Sequence, residues 1–304
     1  MSHISLVDRR HPEPMEHTIE TLVQLLSIPK ATFVNPLKSR TILTGLELWK
    51  PGIDFIKTGE LMVVTSLALD EAAEIVTIIA SKLAFSSNRP LYFASVLEDG
   101  EHPLKVILAN KSHVSLDRID SLHPDDYTDL IRLKDASHEL FDKGSIKIAG
   151  YLDPSLKTIL RDASNHLESG SILVISPLSL VDVDDKPFAS WSEAINCAAK
   201  RIKQFALDND ILVLCALPIN TSAAHPTTRP SACDFSELAV LCAASDMILS
   251  VGPFETEDVS YLPDQPYLGN IIMEVLKGRS KGTIAHLVYH RGNCSLTKIT
   301  DADL

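Results

Sequence analysis

Nothing in this sequence of 304 residues pairs its cysteines for a metal or a disulfide framework. The five cysteines, Cys197, Cys215, Cys233, Cys242 and Cys294, are odd in number and include no CxxC pair. Most lie in apolar stretches, which reads as buried free thiols in a reducing compartment. The eleven histidines are scattered, with no HExxH and no Cys/His ligand spacing, so no metal site is expected. No apolar run reaches the length of a membrane span, and the polar N-terminus, with Pro12 and Pro14, is not built like a signal peptide. The expectation is a cytoplasmic protein without metal or membrane anchor. Positive charge is also short: 28 Lys and Arg stand against 40 Asp and Glu, a net charge of −12. Such a chain repels a phosphate backbone unless it offers a locally basic face. Two short basic clusters exist, Lys200-Arg201-Lys203 and Lys277-Arg279-Lys281. Clusters of this kind ordinarily form a solvated helix face or a hairpin tip.

What is present is the composition of a globular protein, with 45% hydrophobic and 22% charged residues. Residues 1–16 are polar and read as a loose arm. Ile19, Leu22, Leu25 and Leu26 then recur at helical spacing, ended by Pro29. That short helix needs a partner surface for its apolar stripe, either in its own domain or on a neighbouring subunit. From about residue 45, short apolar runs alternate with amphipathic helices. Strands are expected at 61–65, 91–95, 172–176, 211–216 and 247–251, buried on both faces because they show little alternation. A helix is expected from Asp153-Pro154, with Leu156, Ile159, Leu160 and Ala163 inward, and another carrying Ile195, Ala198, Ile202 and Phe205. Alternation of β and α elements implies an α/β fold, a mainly parallel sheet flanked by helices. The C-terminal part reads as an antiparallel hairpin, 270–276 and 283–290, across Lys277-Gly278-Arg279-Ser280-Lys281-Gly282.

In such a sheet a ligand lies beyond the carboxyl ends of the strands. The first loop there is Thr65-Ser66-Leu67-Ala68-Leu69-Asp70-Glu71-Ala72-Ala73. A phosphate loop needs glycines for converging N–H groups, a lysine for the β/γ-phosphates and a hydroxyl for magnesium. This loop has no glycine, no lysine and no hydroxyl at the helix start. Asp70 and Glu71 suit the positive end of a helix dipole. They read simply as helix-capping acids and occupy the potential a triphosphate would need.

The order of elements over about residues 17 to 300 resembles the linker helix plus RecA-type motor domain of the DnaB family of hexameric replicative helicases. Thr18–Pro29 resembles the linker helix. Thr44-Gly45-Leu46 with Gly59-Glu60-Leu61 resembles the lead into the first strand, and His123-Pro124-Asp125-Asp126-Tyr127 an acidic-aromatic helix start. Leu217-Pro218-Ile219-Asn220-Thr221-Ser222, Arg229-Pro230 and Asp234-Phe235-Ser236-Glu237 follow the sensor and DNA-loop region. Asp246-Met247-Ile248 and Lys277-Gly278-Arg279, then Gly282-Thr283-Ile284, complete the series. The resemblance implies a RecA-like sheet with the C-terminal hairpin and divides the chain into an arm (1–16), a linker-like helix and connection (17–40) and a helicase-type domain (41–304).

Carried over residue by residue, the family's working positions are mostly replaced. The phosphate-loop glycine, lysine and threonine fall on Glu71, Ala72 and Ala73. The catalytic glutamate falls on Leu97, with Glu98 adjacent, and the magnesium-anchoring aspartate on Ser176. The sensor glutamine falls on Pro218, while Asn220 is kept. The DNA-loop arginine and glycine fall on Ser236 and Ala239, leaving Glu237. Lys277 and Arg279 fall where the family places basic residues that act in trans on a neighbour's nucleotide site. Phosphoryl transfer depends on positioned charge, and losing one such group costs roughly 10²–10³ in rate. The resemblance therefore implies a pseudo-ATPase that uses no cofactor and partners a replicative helicase or another replication protein as a self- or hetero-oligomer. Two other readings stand beside it: a self-assembling DNA-binding or scaffold protein using no nucleotide, and a weak residual ATPase relying on Glu98.

Overall fold

The computed structural model describes residues 41–43, 55–67, 69–96, 100–123, 125–143, 146–152, 154–183, 188–219, 230–253, 268–279, 281–290 and 292–298. The expected helix with Ile19, Leu22, Leu25 and Leu26 lies outside them, as do Leu97, Glu98, Asn220 and Arg229. Two short strands, β1 (Thr41–Leu43) and β2 (Phe55–Lys57), pair antiparallel. The main sheet is built from β3 (Leu61–Thr65), β4 (Leu91–Val96), β5 (Ile146–Tyr151), β6 (Ile172–Ser176), β7 (Leu212–Ala216), β8 (Met247–Pro253), β9 (Leu268–Lys277), β10 (Ile284–His290) and β11 (Ser295–Lys298). Its order is β11-β10-β9-β8-β3-β7-β6-β4-β5. The strands from β8 to β5 in that order are parallel, whereas β9, β10 and β11 add antiparallel beyond β8.

Each expected strand is present within two residues of its expected ends. The reason is burial: β3, β4, β6 and β7 are buried along their whole length, because helices cover both faces. Side chains alternate between two cores. On one face Met62, Val64, Phe93, Val174 and Leu214 pack against α1 (Leu69–Ser87), α2 (Glu101–Ser112) and α4 (Tyr127–Lys143). The short α3 (Leu116–Asp120) lies between the last two in sequence. On the other face Leu61, Val63, Ala94, Ile175, Val213 and Cys215 pack against α5 (Leu156–Ser164), α6 (Trp191–Asn209) and α7 (Ala239–Ala244).

Two details depart from the sequence reading. Helix α5 begins at Leu156 with Ser155 as N-cap, rather than at Asp153-Pro154. Ser155 is held outside the helix by a parallel bridge to Asp182, with Leu156 N–H donating to the Asp182 carbonyl at 2.7 Å. Strands β1, β2, β5 and β11 are additions to the expected set: in β5, Lys147 and Gly150 interrupt the apolar run, and as an outer strand it needs burial only in part.

Among the described residues no cysteine is in a disulfide. Cys215 and Cys294 are buried, Cys197 and Cys242 partly buried, and Cys233 exposed. Among the described residues no helix is long and apolar enough to cross a membrane, and no cluster of His, Cys, Asp and Glu could hold a metal ion.

Candidate nucleotide site and basic hairpin

The carboxyl ends of β3, β4, β6 and β8 form one edge, where small hydroxyls line up in register. Ser95 stands beside Ser176, and Thr65 beside Ser250. All four are buried. Ser250 donates to the Pro230 carbonyl, whereas the hydroxyls of Thr65 and Ser176 find no hydrogen-bond partner among the described residues. Alternation along the strands directs these two orphans to opposite faces of the sheet, so they do not converge on one point. Ser176, which stands at the position of the family's aspartate, faces the α1 side.

The junction between β3 and α1 is short. A phosphate loop spans eight residues from its first glycine to its hydroxyl, which here would run from Ser66 to Ala73. Helix α1 instead starts at Leu69, so Asp70, Glu71, Ala72 and Ala73 all lie within it. Ser66 is also tied down: Leu217 N–H donates to the Val64 carbonyl and Ile219 N–H to the Ser66 carbonyl, each at 2.9 Å. This extends the β3–β7 pairing past the strand end and carries Pro218 between the two bonds. Ala72, at the lysine position, is fully buried in the core with Ile75, Val76 and Ile79. A lysine there would place its charge in the hydrocarbon layer, not over a phosphate.

One turn further along α1, Glu74 accepts a hydrogen bond from the Tyr289 hydroxyl on β10, and its other oxygen lies 3.7 Å from His102 Nε2 on α2. Burial, then the Glu74 carboxylate, pushes the Tyr289 hydroxyl well above its ordinary range. Burial pushes the neighbouring Cys294 thiol up to about 12. Neither group is poised as a nucleophile or base near neutrality.

The basic pair is engaged within the chain. Lys277, at the end of β9, donates to the Cys242 and Ser245 carbonyls and so caps the C-terminus of α7. Arg279 forms an ion pair with Glu60 at 2.5 Å. The other basic cluster is similarly used: Lys203 donates to Asp246 at 2.6 Å and to the Gly59 carbonyl at 2.7 Å, and Arg201 donates to the Val183 carbonyl at 2.7 Å. The expectation of a merely solvated basic face is thus corrected for Arg201, Lys203 and Lys277. Charged donors near a helix C-terminus or a turn carbonyl hold tertiary contacts that linear sequence does not reveal.

In the segment matched to the DNA loop, Asp234 completes a capping box with Ser231. Ser236 is exposed, and Glu237 accepts from Ser192 Oγ at 2.8 Å. Sequence reading passed over Trp191, beside Ser192 on the first turn of α6. The available signal was Ser190-Trp191-Ser192-Glu193, which resembles a capping box and sets the tryptophan at the first helical position. Ser190 Oγ does accept from Glu193 N–H, at 3.2 Å.

No protein-family model matches the sequence, and no curated protein matches it either. Solved structures do. The chain is similar to a DnaB-like replicative helicase whose structure describes its interactions with primase, at 15% identity and a TM-score of 0.71, covering 97% of this chain and 69% of that one. It is also similar to the isolated ATPase domain of a second protein, at 15% identity and a TM-score of 0.68, covering 94% of this chain and 98% of that one. At such identity the likeness establishes the fold alone, a RecA-like sheet of the kind found in DnaB-like helicases.

Proposed function

We propose, on the premise of that DnaB-like helicase fold, that this protein is a pseudo-ATPase that acts as a regulatory or co-assembling partner of a replicative helicase. The observation that carries the reading is the β3–α1 junction. Helix α1 starts at Leu69 and buries Ala72, which leaves neither a loop of free N–H groups nor space for a lysine at the phosphate position. Ser176 in place of the aspartate removes the magnesium anchor that the family resemblance implies. The net charge of −12 disfavours the alternative of a DNA-binding scaffold.

The basic hairpin supports a specific form of partnership. Lys277 and Arg279 are the residues that the resemblance would send into a neighbour's nucleotide site, and here both are held by their own chain. A copy seated in a ring of active subunits would leave its own site empty and withhold both cations from the next. One such copy would therefore silence two adjacent sites.

The test is calorimetric titration of the purified chain with magnesium-ATP, followed by mixing with an active helicase. We expect no saturable heat at micromolar nucleotide, and a helicase ATPase rate that falls faster than the fraction of active subunits. Saturable micromolar binding would remove the pseudo-ATPase reading. A helicase rate unchanged by excess protein would remove the partnership.

A further inference from the structure

The two cations of the β9–β10 hairpin are held in different ways. Lys277 donates to the Cys242 and Ser245 carbonyls, and the Ala243 carbonyl lies 3.3 Å away. Carbonyls at a helix end stay where the helix puts them, so this ammonium is part of the fold. Arg279 has one partner among the described residues, Glu60, and its side chain remains half exposed. An ion pair at that exposure is weak and screened by salt.

The two sides of this pair are not equal. Glu60 is fixed in place. Its second oxygen accepts from Lys57 N–H at 2.9 Å, and its own N–H donates to the Lys57 carbonyl at 3.3 Å. The preceding Gly59 holds the turn in the left-handed region, with φ of 81°. Its N–H donates to the Ile211 carbonyl and its carbonyl accepts from Lys203, each at 2.7 Å. Arg279 stands instead in a turn between Gly278 and Gly282, both at positive φ. It reaches Glu60 through a long side chain, whose rotamers are given up only while the pair holds. The carboxylate is the fixed side and the guanidinium the moving one.

We propose that Glu60 is an autoinhibitory catch on Arg279. While the pair holds, the guanidinium is withheld from the neighbouring subunit; once released, it is available to an anionic ligand there. Lys277 takes no part in the exchange. A copy with the catch closed silences its own site and the next one, and a copy with the catch open silences its own alone. The catch acts within the mixed ring proposed above and rests on that reading.

The first measurement uses this chain by itself. Phenylglyoxal condenses with accessible guanidinium groups, and mass spectrometry reads the labelling rate of the peptide that carries Arg279. We expect Arg279 to be labelled several-fold faster in Glu60→Gln than in the wild type at low salt. In the wild type the rate should rise with salt, whereas in Glu60→Gln it should not. Wild-type labelling that is indifferent to salt would overturn the catch, and that arm needs no variant to fold.

The second measurement mixes each form with an active helicase. In a randomly mixed ring, a copy that silences only its own site lowers the rate in proportion to the active fraction. A copy that also silences its neighbour's site lowers it as the square, a difference of about twofold at equal mixing. We expect the wild type to follow the square and Glu60→Gln the simple proportion. Glu60→Gln combined with Arg279→Met should return to the square, which separates release of Arg279 from loss of Glu60 itself. A square law kept by Glu60→Gln, although Arg279 labels faster, would overturn the regulatory role alone. A helicase rate that no form alters would overturn the partnership, and the regulatory role with it, whatever the labelling shows.

Discussion

Tyr92 and Tyr151 share a hydrogen bond of 2.7 Å inside the core, and Tyr151 donates onward to Asp162 at 3.4 Å. Burial raises the Tyr92 hydroxyl from 10.0 to about 12, the Tyr151 bond opposes the rise and the Asp162 charge adds to it. Tyr151 is shifted in the same direction, chiefly by burial. Below pH 10 both the folded and the unfolded chain keep these protons. Between 10 and about 12 the unfolded chain releases protons that the folded chain retains, so stability falls as pH rises through that window. Tyr92→Phe should make this alkaline loss shallower, as read from urea unfolding at pH 9 and pH 11. An unchanged slope would mean that the pair is not buried as described. None of this was legible in sequence, because residues 92 and 151 share a core only once β4 and β5 lie side by side, where Tyr92 stands opposite Lys147 and Tyr151 opposite Val96. In sequence, Glu71, Ala72 and Ser176 are what the resemblance sets at the glycine, lysine and aspartate positions. That Ala72 points into the core required the structure.

Strands announced themselves where burial was complete. The runs Leu61–Thr65 and Ile172–Ser176 are apolar almost throughout because each has a helix layer on both sides. The hairpin of β9 and β10 was legible from its glycine-containing turn, whereas the purpose of its cations was not. Lys277 lies 35 residues from Cys242 in sequence, yet it closes the end of α7. Removing its charge while keeping the stem, Lys277→Met, should destabilise the fold by about 1–2 kcal/mol, since charged hydrogen bonds to carbonyls are lost. Arg279→Met should cost less than about 1 kcal/mol, because that guanidinium is half exposed and its ion pair is screened. Urea melts of the two variants separate these outcomes. Equal and negligible losses would show that the cap contributes nothing, and would leave Lys277 free for an external partner.

The apolar stripe of Ile19, Leu22, Leu25 and Leu26 is a matter for the whole molecule, and for any assembly of it. Each such side chain contributes roughly 1.5–3 kcal/mol when fully buried, so the stripe favours a partner surface strongly. The family resemblance points to an adjacent subunit, and α4 offers Tyr127 and Ile131 exposed one turn apart. Leu22→Asp with Leu25→Asp should leave a cooperative thermal transition intact while abolishing self-association or helicase binding in sedimentation. Loss of that transition in a wild type that already sediments as a monomer would instead make the stripe intramolecular packing.

The place of β3 in the sheet has a further consequence, for the order in which a ribosome delivers the chain. Leu61 pairs with Val213, and Met62 with Met247, so the middle strand waits for both of its neighbours until most of the protein has emerged. At about 5–20 residues per second, that is roughly ten to forty seconds during which a strand apolar at all but its last residue has no place to go. The nascent chain is at its most adhesive in that interval, well before any question of nucleotide or partner arises.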